Sequence, residues 1–272
     1  MKKKNFSMSN AIIIIAAILV GILIYMFLLG SPSHFENSKD LSFFRMPGHE
    51  HPVQGDLMGI MYKGGYIVPL LIAINLIIIS FTIERFITLS KVNGKGNVQD
   101  FIQNIRSYIS NGQITDAVAE CDKQKGSIAN VIRSGLEEYM RVENDKAADK
   151  DAKIAAIQKG LEEATALELP MMSKNLVILS TCASIAVLIG LIGTVMGMIT
   201  AFSAMAQAGS PDSVALATGV SEALVNTFFG IMGSTLAIIL YNYFSSKVDA
   251  LTYAIDEAGY SVVQTFASKH KN

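Results

Sequence analysis

The residues of this 272-residue chain that could do chemistry are few, and their spacing does not suit an enzyme. Glu222 is the one charge in the stretch 214–244. A carboxylate about eight residues inside an apolar run is costly, and such groups face a bundle interior, a water-filled cavity or the nearest interface. Asn226, one helical turn further on, can hydrogen-bond to it. Thr194 lies twelve residues before Ala206, and Thr227 lies fourteen after Ser213. At ~1.5 Å per residue, both hydroxyls sit roughly 18–21 Å from a turn joining the two runs, at one level. Each belongs to a stripe of small side chains. Ala183, Ala186, Gly190, Thr194, Gly197 and Ala201 recur at three and four, as do Ala223, Thr227, Gly230, Ser234 and Ala237. Such stripes, with Gly193 beside the first, allow close helix packing. They also suit the wall of a polar passage lined by hydroxyls. Glu222 and Thr227 are five apart, about 140° around a helix, so they need not face the same space.

Other candidates are weaker. Cys121 is a lone thiol with no histidine in its segment to activate it. Gly94-Lys95-Gly96 lacks the spacing and the Ser or Thr of a phosphate-binding loop. His49-Glu50-His51, on a loop flanked by Pro47 and Pro52, supplies too few ligands in too open a setting for a metal site. No catalytic constellation, metal or cofactor is expected.

The elements that must position these residues follow from where charge is missing. Hydrophobic residues make up 51 % of the chain and charged ones 17 %, with a net charge of −1. Mean hydropathy is +0.39. Disorder is excluded by that apolar content, and nucleic-acid binding by the lack of a basic field. The charge deficit is concentrated in 11–29, 66–83, 175–206 and 214–244. All four meet the length of a membrane span, roughly 20 residues. The first follows Lys2, Lys3 and Lys4 and reads as a retained anchor or a cleaved signal.

Thirteen of the 22 Lys and Arg residues lie in 84–174, which places that segment in the cytoplasm. The expected organisation is then an N-terminal anchor (1–30), an outer segment (31–65) and a span (66–83). A cytoplasmic helical domain (84–174), two spans (175–206 and 214–244) joined by an outer turn (207–213), and a cytoplasmic tail (245–272) complete it. In the outer segment, Leu57–Tyr62 reads as an interfacial helix, with Tyr62 and Tyr66 as headgroup anchors. Within 84–174, Phe101, Ile102, Ile105, Tyr108 and Ile109 recur at helical spacing, and Ser110-Asn111-Gly112 ends that helix. Ile154, Ile157, Leu161 and Ala164 share a face of a long helix expected to run into the third span. No strand signal appears, so the fold class is an all-α integral membrane protein. One chain offers only two lining faces, so a closed passage needs a cyclic homo-oligomer. It also needs a titratable group from a second protein, since hydroxyls alone cannot hold a proton.

The motifs Ile189-Gly190-Leu191-Ile192-Gly193-Thr194-Val195-Met196-Gly197 and Ser221-Glu222-Ala223-Leu224-Val225-Asn226-Thr227-Phe228-Phe229-Gly230 resemble those of the ExbB/TolQ/MotA family of proton-channel motor subunits. Glu84-Arg85-Phe86 is similar to the family's stop after its first span, and residues 60–246 follow the ExbB/TolQ layout. The resemblance is nearest to ExbB. It implies a homopentamer in the inner membrane of a Gram-negative-type bacterium, whose pore holds a dimeric single-span partner of the ExbD/TolR kind that brings an essential Asp. It further implies that proton flow drives a TonB-like protein opening outer-membrane transporters, or, in the TolQ case, a TolA-like protein serving envelope integrity. Carried over by position, Thr194 and Thr227 are the pore hydroxyls and Glu222 the family carboxylate. The expected pathway thus comprises Thr194, Thr227, Glu222, Asn226 and Ser234, with Gly190, Gly193, Gly197 and Gly230 as packing positions. The sequence departs from the family's pattern at Met196 (often Trp), Leu236 (often Pro) and Asn226 (often Ala), and by its extra N-terminal span.

Overall fold

The structure, a computed structural model, describes residues 3–36, 51–144, 149–207 and 213–269. These are helical almost throughout, and the one strand-like contact among them is a bridge between Phe35 and Pro52. The α-helices are α1 (Lys3–Leu23), α2 (Leu57–Tyr62), α3 (Val68–Asn93), α4 (Val98–Ser110) and α5 (Ile114–Gln124). They continue with α6 (Gly126–Glu143), α7 (Lys150–Ser173), α8 (Leu176–Gln207) and α9 (Ser213–Lys269). Among the described residues, four helical stretches, containing α1, α3, α8 and α9, are long and apolar enough to cross a membrane. Residues 208–212 of the expected outer turn, and His49 and Glu50, lie outside the described residues.

The chain forms two compact units, Met1–Thr82 with Val177–Tyr241, and Ile83–Leu176 with Asn242–Asn272. In the first, α1 ends in a π-helical turn, Ile24–Leu29. It packs closely on α3, for a methyl at Gly21 would lie 2.9 Å from the Pro69 carbonyl oxygen. Tyr25 stacks on Tyr62 with ring centroids 4.6 Å apart. The Tyr25 hydroxyl donates to the Tyr62 carbonyl, 3.1 Å away. The expectation that Tyr62 anchors at the headgroups is therefore corrected: its ring is buried under Tyr25 and Phe35. Tyr66, in contrast, is 87 % exposed. Asp56 starts α2 by accepting from the Met58 and Gly59 amides and pairs with His34 at 2.7 Å. These bonds hold its carboxyl below the usual range, the His34 bond contributing most.

The second unit is an amphipathic helix cluster. Phe101, Ile102, Ile105 and Ile109 of α4 are buried on one face, as the spacing predicts. Asn97 caps α4 and Asp149 caps α7, each satisfying an orphan amide of the first turn. The α3–α4 and α5–α6 turns meet backbone to backbone. Gly94 and Gly126 take φ +80° and +84°, and a methyl at Gly126 would lie 2.5 Å from the Val92 carbonyl oxygen. Burial pushes the Cys121 thiol up to about 12, which leaves it inert as a nucleophile at neutral pH. The stretch expected as a tail is the continuation of α9, with Val248, Leu251, Ile255, Ala258, Val262 and Phe266 buried. Phe266 meets Tyr139 of α6 edge-on, with ring centroids 4.7 Å apart.

The helix expected to run unbroken from the cytoplasmic segment into the third span is interrupted. α7 carries Pro170 in its last turns and ends at Ser173. Lys174 is extended (ψ 143°), and Asn175 lies in the left-handed region at φ +62°, which Asn tolerates better than most residues. Glu84 and Arg85 hold this break. Arg85, 1 % exposed, donates two hydrogen bonds to Glu84, at 2.8 and 2.7 Å. Its third goes to the Met172 carbonyl, at 3.2 Å. Glu84 also accepts from Asn175 Nδ2 at 3.1 Å and from Thr88 at 2.9 Å. Burial alone would raise the Glu84 carboxyl, but the hydrogen bonds from Arg85, Asn175 and Thr88 outweigh it and hold the group below its ordinary value.

Candidate functional site

The candidate residues gather on the antiparallel pair α8 and α9. Small side chains let the two backbones touch. A methyl at Gly190 would lie 3.0 Å from both the Asn226 carbonyl oxygen and the Gly230 Cα. One at Gly197 would lie 2.7 Å from the Ala223 nitrogen, and one at Gly230 would lie 2.8 Å from the Ala186 carbonyl oxygen. Ala183, Ala186, Ala201, Ala223 and Ala237 are buried along the same seam. Within one chain, then, the two stripes pack against each other.

At the middle of that seam the two threonines meet. The Thr194 and Thr227 hydroxyls are hydrogen-bonded to one another. Thr194 also reaches the Gly190 carbonyl at 3.1 Å and that of Ala223 at 3.4 Å, while Thr227 donates to Ala223 at 3.2 Å. Both side chains are half-buried. A hydroxyl both donates and accepts, so the pair can bond to an acid or to its conjugate base on its open side. Ser234, two turns further along the α9 stripe, is buried.

Glu222 faces away from α8, and Asn226 sits between that side and the seam. Asn226 is fully buried and abuts α8, since a methyl at Gly193 would lie 2.5 Å from its Cβ. The expected bond from Asn226 to Glu222 is not the one recorded: Asn226 Nδ2 donates to the Gly64 carbonyl, 2.9 Å away. The Glu222 carboxyl lies against Gly65, where any Cβ would strike Oε1. Gly65 takes φ +77°, so both its conformation and its missing side chain make room for the acid. α9 therefore carries two inward stripes. One, with Ala223, Thr227 and Gly230, faces α8. The other, with Glu222, Val225, Asn226 and Gly233, faces the turn before α3 and α3 itself.

Sequence reasoning missed three contributors. Asn75, the lone amide of the 66–83 run, packs against Gly233, where a methyl would lie 3.0 Å from its side chain. The signal was a single carboxamide amid apolar side chains. Gly64-Gly65 was not singled out, and the Glu84–Arg85 clamp was legible only as a charged stop.

These features define a multi-pass helical membrane protein whose last two spans share a small-residue seam centred on paired hydroxyls. Residues 123–257 match the model of the MotA/TolQ/ExbB proton channel family. The chain is 30 % identical over 114 residues to the biopolymer transport protein ExbB of Aquifex aeolicus, covering 42 % of this chain and 69 % of that protein. It is 25 % identical over 228 residues to ExbB of Pseudomonas putida, covering 80 % and 68 %. It is 28 % identical over 124 residues to the Tol-Pal system protein TolQ of Pseudomonas aeruginosa, covering 46 % and 54 %, so the match spans about half of that relative's length. The chain belongs to the MotA/TolQ/ExbB proton channel family.

Proposed function

We propose that this chain is the channel-forming subunit of an ion-driven motor in the inner membrane, using the proton gradient to energise an outer-membrane process. The charge distribution supports placing 84–174 in the cytoplasm and 31–65 and 207–213 in the periplasm. The observation that carries the reading is the half-buried Thr194–Thr227 hydroxyl pair, set in two spans with no ionisable side chain at its level. A proton crossing there needs a titratable carrier, and a single-span partner of the ExbD/TolR kind bringing an Asp would supply it. Several copies of the chain, five by family resemblance, would arrange their α8–α9 pairs around that partner. Glu222, nearer the outer mouth, is the chain's own carboxylate on the route, with Asn226 on its stripe and Ser234 on the stripe that faces α8. One proton falling through 100 mV releases ~2.3 kcal/mol, so a few per step suffice to shift helix packing.

The ExbB names among the relatives, two of which the chain covers by more than two thirds, favour coupling to a TonB-like protein and outer-membrane transport. The TolQ relative favours the second reading, coupling to a TolA-like protein and envelope integrity. Co-reconstitution of the full chain with its single-span partner in vesicles bearing a pH-sensitive dye tests the common core. Wild type should pass protons only when the partner is present, and Thr227→Val should lose at least tenfold in flux while the complex stays assembled. Unchanged flux in Thr227→Val would leave only a packing role for the seam.

A further inference from the structure

Asn226 Oδ1 is a fully buried oxygen that no hydrogen-bond donor among the described residues reaches. Leaving such an acceptor unmet is costly, and its own Nδ2 is already committed to the Gly64 carbonyl. One turn back on the same face of α9 stands Glu222, whose carboxyl is pressed against Gly65. Residues four apart on a helix are neighbours. The two side chains thus grip consecutive residues of one turn, Gly64 and Gly65, immediately before α3. The other ionisable groups on the surrounding elements do not compete for this role. Tyr25, in the π-helical turn after α1, lies within electrostatic reach of Glu222. Tyr62 is stacked under Tyr25, Tyr66 is exposed, and Lys63 precedes the turn. Asp56 is bound to His34. On α8 the sole ionisable group is Cys182, at the helix's far end from Gly197 and Ala201.

The geometry points to a proton-operated latch on the outer side of the α8–α9 pair. When the Glu222 carboxylate takes up a proton from the aqueous side, the new O–H donates to Asn226 Oδ1. Asn226, held through Nδ2 to Gly64, then ties the protonated state to the turn that opens α3. Release of the proton restores the carboxylate and frees Oδ1, and no other bond is made or broken. Asn226 is a positioning residue that sets how tightly Glu222 keeps its proton. The inference rests on the proposed reading of Glu222 as a proton-handling group.

The test is an infrared pH titration of the full chain in lipid nanodiscs, following the protonated-carboxyl band that Glu222→Gln removes. Asn226→Leu keeps the branched shape but deletes the acceptor, together with the donor to Gly64. Losing one neutral hydrogen bond should lower the titration midpoint by about 0.7 pH unit, a roughly fivefold weaker hold on the proton (about 1 kcal/mol). The band should also move to the frequency of a carboxyl free of hydrogen bonds. Gly65→Ala, which pushes the carboxyl out of place with Asn226 intact, should lower the midpoint in the same direction. It serves where Asn226→Leu fails to fold. An unchanged midpoint and band in the folded Asn226→Leu protein, or an unchanged midpoint in Gly65→Ala if only that variant folds, overturns the latch. No flux enters this measurement. A shifted midpoint in a chain whose complex passes no protons would retain the latch and reject the proposed function.

Discussion

Replacing Arg85 by Ala should release the break between α7 and α8. The guanidinium is 1 % exposed and makes three hydrogen bonds, two to Glu84 and one to the Met172 carbonyl. Removing one partner of a buried ion pair costs about 3–5 kcal/mol, because the other charge is left behind. Here Glu84 keeps its bonds from Thr88 and Asn175, and its side chain is 25 % exposed. Water can reach it, so the cost should fall at the low end, about 3 kcal/mol. A local opening that becomes easier by that amount is populated about 100-fold more. The break itself supplies the reporter: Lys174 lies inside it, one residue before the left-handed Asn175. Trypsin cuts after lysine, and cleavage of a transiently open site tracks the open population when reclosing is fast.

The assay is limited trypsinolysis of the full chain in nanodiscs, with the fragment ending at Lys174 identified by mass. Arg85→Ala should raise cleavage at Lys174 by about two orders of magnitude over wild type, while cleavage at a control site such as Lys91 changes little. Arg85→Lys keeps the charge but loses the planar fork, so it should fall between the two. Equal cleavage at Lys174 in wild type and Arg85→Ala would show that the clamp does not hold the break, and the reasoning from burial would fail.

Two further outcomes follow from the same structure. Gly190→Ala should destabilise the chain by about 1–3 kcal/mol in detergent melts, because the added methyl meets backbone atoms of Asn226 and Gly230 that cannot yield; an unshifted melt would mean the seam is looser than its glycines indicate. Glu84 should make the chain acid-sensitive: a carboxyl held below its unfolded value adds stability above about pH 4, and that stability is lost as pH falls through the lower, folded value. Glu84→Gln should flatten this part of a pH–stability curve, whereas a parallel curve would assign the acid loss to other groups.

How much of this could be read beforehand depended on which physical signal each element leaves. The spans announce themselves because lipid excludes charge, and the runs 11–29, 66–83, 175–206 and 214–244 fall on helices of the structure, save Asn175 at the break before α8. The amphipathic helix α4 was legible because water and core impose a 3.6-residue period on Phe101, Ile105 and Ile109. The same logic was available for the end of α9, where Val248, Leu251, Ile255, Ala258 and Val262 step by three and four. Their recurrence marks a buried face rather than a tail. The break at Lys174–Asn175 was not legible, since nothing local to Asn175 demands a left-handed residue. It is Glu84 and Arg85, some ninety positions earlier, whose hydrogen bonds make that conformation affordable.

The site divides along the same line. A period of three and four finds one stripe on a helix, and the small-residue seam of α8 and α9 is such a stripe. It does not find a second stripe offset by about 100°, one residue along. On α9 that second stripe is Glu222, Val225, Asn226 and Gly233, and its partners are Gly64, Gly65 and Asn75. In an apolar run both stripes are written in the same few residue types, so composition cannot separate them; only the polar members do. Thr227 belongs to the face that meets α8 and Glu222 to the face that meets the turn before α3, with Asn226 between them, touching Gly193 on one side and Gly64 on the other. A carboxylate and a hydroxyl five residues apart thus answer to different neighbours. Any account in which a single proton visits both must move it around the helix as well as along it.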